Sequence, residues 1–253
     1  MGHYRLGNLP HTEKWKEVIG LLMQGADLSE LANASFDASL TGLNRVASDP
    51  GFLKILNSII ELAAASRESD LKTSFYKAGV EEGSQTSSFA FISQIANNLS
   101  NQLDQIYPRS DVGKIAQDAI LISLSRQIKG KTKSLFGDPE NIKSLSESFR
   151  GNKFKLLMHD FYSGFMSKYL SYHLSREIPH HVGNNKRFGN LDDHTEFTNH
   201  LDLYCRQTVR ITDDFTPGWV GKAIYEDKVG PEAVSRYAHV AFEKLISEFK
   251  RSA

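Results

Sequence analysis

The stretch from Phe154 to Arg176 carries apolar side chains on more than one side of a helix. Phe154, Leu157, Met158, Phe161, Phe165, Tyr169 and Tyr172 form one broad face, and Met166 and Leu170 fall on another. A helix that is apolar on two sides has to be covered on two sides. The rest of the chain must supply that cover, and what it supplies is more helices. Trp15, Val18, Ile19 and Leu22 share one face at steps of three and four. So do Phe52, Leu56, Ile59, Ile60 and Ala63, then Ile92, Ile95, Ala96, Leu99, Leu103 and Ile106. Later stripes run through Val112, Ile115, Ala119 and Ile122, through Phe197, Leu201, Tyr204, Thr208 and Ile211, and through Val234, Ala238, Ala241, Leu245 and Phe249. No run alternates apolar and polar residues as a half-buried strand would. The expected fold is all-α, an irregular multi-helix bundle of about nine or ten helices.

Local signals place the helix ends. Thr12 is positioned to cap the first helix and Gly25 to end it. Asp27 with Glu30 reads as a capping box, and Asp193 with Glu196 repeats the pattern. Asp138-Pro139 predicts a helix start, with the helix running to about Phe149. "TPGWVGK", Thr216–Lys222, reads as a turn-rich segment, and Pro179 as the stop after the long central helix. "SREIPHHVGNNKRFGN", Ser175–Asn190, is then an ordered connector. Residues 80–88 are a loop and a soft boundary, within a single helical domain covering 1–253.

Composition narrows the function classes. Lys plus Arg number 30 against 30 Asp plus Glu, so no global field draws the chain to nucleic acid. Lys129, Lys131 and Lys133 form a weak basic patch, read as a solvated connector. "KGKT" within it is no phosphate-binding loop, because Ser125 stands where that loop needs glycine. Cys205 is the only cysteine, which rules out an internal disulfide and suits a reducing cytoplasm. "MGHYRLGNLP" at the start lacks the apolar run of a signal peptide, and no apolar run is long enough to cross a bilayer.

Six of the nine histidines fall between residues 159 and 200. Geometry limits what they can do. His159 and His173 are fourteen residues apart, which separates them by roughly 21 Å along one helix. Glu196 and His200 share a face but supply only two ligands, and structural zinc needs four. "LLMHDF", Leu156–Phe161, resembles the histidine–aspartate step of the HD-domain phosphohydrolases. Those are helical proteins whose divalent metal activates water for attack on phosphorus. The resemblance implies His159 and Asp160 as metal ligands, with His180, His181 and Asp202 completing the set. The family's earlier histidine has no counterpart between His11 and His159. "REIPHH", Arg176–His181, is similar to the arginine–histidine spacing of HEPN-type ribonucleases, although Pro179 interrupts it.

Three edges combine turn residues with a large aromatic: Trp15, Phe136 and Trp219. Such residues are favoured at protein interfaces. With no complete catalytic set, the expected function is a non-catalytic helical adaptor or structural subunit. It would need no cofactor and would dock on a larger protein partner or on itself. The chain's general character is similar to that of helical proteins from bacterial multi-gene operons, antiviral defence operons among them. The alternative is a metal-dependent phosphohydrolase or nuclease built on the 159–202 histidines.

Overall fold

The computed structural model describes residues 3–4, 10–107, 109–129, 142–174, 177–183, 188–189 and 191–252. Eleven α-helices lie among them: α1 (Glu13–Gln24), α2 (Leu28–Val46), α3 (Pro50–Ala65), α4 (Leu71–Lys77), α5 (Ser88–Asp104), α6 (Asp111–Lys129), α7 (Ile142–Ser146), α8 (Gly151–Leu174), α9 (Leu191–Thr208), α10 (Thr212–Tyr225) and α11 (Pro231–Ser252). Extended pairing among the described residues is limited to His3–Tyr4, parallel to Arg109–Ser110, and a single bridge of Val182 with Phe188. The fold is an all-α multi-helix bundle.

The central helix is α8. It packs on α2, α6, α9 and α10, which cover it from several sides. Thirteen of its residues are buried, from Phe154 to Leu174. Phe52 of α3 lies against Phe161 and Phe165 of α8 and against Phe242 of α11. Buried side chains on both sides of residues 80–88 belong to one cluster that runs from Trp15 to Phe249. Val80 is itself fully buried, and a short 3₁₀ turn occupies Glu82–Thr86.

The helix starts follow the capping chemistry. Thr12 Oγ1 accepts from the Trp15 N–H at 3.4 Å, and Asp27 Oδ1 from the Glu30 N–H at 2.8 Å. Gly25 ends α1 in the left-handed region at φ 70. Asp49 links two helices. Its Oδ1 accepts the Phe52 N–H at 2.8 Å, which caps α3. Its Oδ2 accepts the Ser110 hydroxyl at 2.6 Å, and Ser110 Oγ in turn accepts the Gly113 N–H at 3.1 Å, which caps α6. Asp49→Ala removes one cap and loosens the other, and is expected to cost about 2 kcal/mol in urea unfolding. Asp49→Asn keeps an acceptor at the same place and should lose less.

These linked caps bring α3 and α6 into backbone contact. A Cβ built on Gly51 would lie 2.9 Å from the Gly113 Cα, and one built on Gly113 would lie 2.8 Å from the Gly51 Cα. A second anchor is a buried chain of hydroxyls. Tyr162 of α8 donates to Tyr237 of α11 at 2.9 Å, and Tyr237 meets Thr216 of α10 at 2.7 Å. Burial pushes both phenols above their usual range, so they stay protonated.

Two expectations need correction. Thr216–Lys222 is not a turn but the middle of α10, with Pro217 inside the helix. Packing outweighs the proline there: Thr216 and Val220 are buried, and Trp219 stacks on Tyr237 at 4.6 Å. Asp193 is not the cap of α9 but its third residue, and its carboxylate reaches back to accept the Gly189 N–H at 2.7 Å. The central helix is described as far as Leu174, and Pro179 sits beyond it inside a 3₁₀ turn at Ile178–His181. The predicted start at Asp138-Pro139 lies outside the described residues, which resume with α7 at Ile142.

Candidate functional site

The structure separates the residues that sequence spacing had grouped. His159 Nδ1 pairs with Asp213 Oδ1 at 2.8 Å, beside an ion pair of Lys155 with Asp214 at 2.7 Å. Both contacts bridge α8 to α10. Asp160 is one residue on, roughly 100° round the helix, and pairs with Arg206 of α9 at 3.0 Å. Asp202 accepts the Ser167 hydroxyl. His180 is exposed and His181 half-buried in the 3₁₀ turn. Among the described residues, no three His, Cys, Asp or Glu side chains are placed to hold one metal ion. His159, Asp160, His180, His181 and Asp202 therefore do not converge as one ligand set there. Glu196 and His200 are both exposed on α9.

The connector around those histidines is ordered at its described ends. The Phe188 N–H donates to the His181 carbonyl at 2.9 Å, and the Gly183 N–H to the Phe188 carbonyl at 2.8 Å. Phe188 is buried against Phe197 of α9. Cys205 is fully buried, and burial pushes its thiol well up, which keeps it protonated and inert. Trp15 is only 2% exposed, so it is a wall residue and not a projecting edge. Trp219 is half-buried on Tyr237. Phe136, Lys131, Lys133 and the side chain of Lys129 lie outside the described residues.

The wall that Trp15 helps to build encloses a cleft of about 940 Å³. The start of α1, the second half of α2, the start of α3, Ser110, Val112 and the end of α8 surround it. Its back is aromatic: Trp15 and Tyr169 lie 5.3 and 5.4 Å from the His173 ring. Val46 and Val112 add apolar surface, and Ala38 adds a small side chain. Gly42 is required here, because a Cβ on it would fall 2.2 Å from the Tyr169 hydroxyl. Burial pushes the Tyr169 phenol up to about 12, so it is a neutral hydrogen-bond donor at neutral pH. That hydroxyl makes no hydrogen bond among the described residues. Arg45 stands exposed at the rim, without an ion pair among the described residues.

No protein-family model, curated protein or solved structure matches the chain. The cleft must be read from its own chemistry. Sequence reasoning picked out Trp15 and passed over Tyr169, Gly42 and Arg45 as site residues. The available signal was Gly42, a lone glycine inside a helical pattern, which implies a close approach by another group.

Proposed function

We propose that the protein is a non-catalytic binding subunit, an adaptor whose cleft between α1, α2 and α8 takes an apolar segment of a protein partner. The observation that carries this reading is the cleft itself, about 940 Å³ with an aromatic back wall. Its size falls near the top of the usual range for ligand pockets. Two features favour a polypeptide occupant. The rim at Ser110 already pairs its backbone with an extended segment, His3–Tyr4, the geometry by which extended peptides add to an edge. Arg45 offers a charge that suits a carboxylate on the incoming segment. No helix among the described residues is long and apolar enough to cross a membrane, so the cleft is not read as a lipid-facing seam.

Selection from a displayed random-peptide library tests the proposal. Selected peptides should share apolar residues with an acidic residue nearby, and should change the fluorescence of Trp15. Ala38→Trp fills the cleft from a half-buried wall position and should weaken these peptides by about tenfold or more, with helical content unchanged. Arg45→Glu should weaken the acidic ones selectively. Peptides that bind the Ala38→Trp protein as tightly as the native one would place recognition elsewhere and end this reading.

A further inference from the structure

A second, smaller site lies on the other side of α8. A pocket of about 210 Å³ opens between α6, α8 and α9. Its floor is the face of α8 that carries Ser163, Gly164, Ser167 and Ser171. Small residues alone would mean only close helix packing. Three further observations say more.

Ser163 is 3% exposed, yet its hydroxyl has no hydrogen-bond partner among the described residues and it lines the pocket. A hydroxyl that opens only into a pocket is partnered by whatever fills that pocket, water or a bound molecule. Next, Arg126 of α6 and Lys168 of α8 line the pocket from two different helices, and neither forms an ion pair among the described residues. Finally, the two carboxylates present are already engaged, Asp160 by Arg206 at 3.0 Å and Asp202 by the Ser167 hydroxyl. With three cations against two carboxylates, the lining carries one net positive charge.

From this we infer that the pocket binds a small phosphorylated polyol. The phosphate sits between Arg126 and Lys168, and Ser163 donates its hydroxyl to it, because oxyanions are held best by charge-assisted donors from several directions. Asp160 and Asp202 retain lone pairs beyond their present bonds, and these accept from the hydroxyls of the ligand. The volume equals the liquid share of about seven waters at ~30 Å³ each. That suits a phosphate with a short carbon chain and is too small for a nucleotide. This site does not depend on the peptide cleft, with which it shares no lining residue.

Titration calorimetry decides the matter, with inorganic phosphate, ribose 5-phosphate and sodium chloride at matched ionic strength as the three titrants. Both phosphates should bind saturably at one site, ribose 5-phosphate more tightly. Arg126→Ala and Lys168→Ala should each weaken binding by about tenfold or more, and Ser163→Ala by about fivefold. Lys114→Ala removes a cation of α6 that pairs with Asp118 outside the pocket and should leave binding unchanged. Circular dichroism of each variant establishes that the fold is kept. Heats no different from chloride overturn the site, as does an equal loss in Lys114→Ala, which would mean diffuse charge attraction. Binding of phosphate without any preference for ribose 5-phosphate overturns the polyol assignment.

Discussion

Phe52→Ala is expected to destabilise the protein by about 3–5 kcal/mol and to lower its melting midpoint by roughly 10 °C. Phe52 is fully buried at the point where three helices meet. Its ring lies 5.0 Å from that of Phe165, 5.3 Å from that of Phe242 and 6.0 Å from that of Phe161. Two of these pairs are edge-to-face, the arrangement in which aromatic rings attract beyond their buried area. Deleting the ring removes the transfer term and leaves a cavity lined by rigid rings from α8 and α11. Those rings are fixed by their own neighbours and cannot collapse into the gap. The control is Phe89→Ala, whose ring is 82% exposed and whose loss should stay within about 0.5 kcal/mol. Chemical denaturation of the three proteins checks both values. A Phe52→Ala protein within 1 kcal/mol of native, by about the same measure, would mean that this junction is loosely packed.

Gly113→Val should cost about 2–3 kcal/mol through a different mechanism. On helix propensity alone, replacing glycine inside α6 would be favourable by a few tenths of a kcal/mol. Packing opposes it. A Cβ there meets the Gly51 Cα at 2.8 Å and the Gly51 carbonyl carbon at 3.0 Å. Both atoms are backbone of a buried turn held by the Asp49 caps, so neither can swing aside as a side chain would. The sign of the change therefore reports which effect prevails. Gly20→Ala supplies the opposite case. No atom lies within 4 Å of a Cβ at Gly20, in the middle of α1, so the substitution should stabilise by about 0.5–1 kcal/mol. Thermal and urea unfolding of the pair measures both signs in one experiment.

The helices were legible because each depends on local information. Thr12, Gly25 and Asp27 mark ends by chemistry that acts over three or four residues. The apolar stripe of α8 announced a helix covered on several sides, and it is one. Pro217 was misread because a proline signal is local, while the buried contacts of Thr216, Trp219 and Val220 that hold α10 together come from α11 and the core. The site was less legible for the same reason. His159 and Asp160 are neighbours in sequence but turn towards different helices. Asp160 and Asp202 do line a common pocket, two of the residues that the resemblance to HD-domain phosphohydrolases had grouped. The cleft is assembled from α1, α2, α6 and α8, whose relative placement no single stretch of sequence encodes.

The hydroxyl chain of Tyr162, Tyr237 and Thr216 has a consequence for how uniquely the bundle is assembled. The apolar stripe of α11 would tolerate several rotational settings against its neighbours, since one leucine or alanine substitutes for another as filler. The three hydroxyls would not. Advancing α11 by one residue turns it by about 100° and shifts it by about 1.5 Å. Tyr237 would then leave both partners, stranding buried polar groups at about 1–3 kcal/mol each. The trio works as a vernier mark: greasy surfaces bring α8, α10 and α11 together, and one short polar thread selects a single alignment among the many they could share.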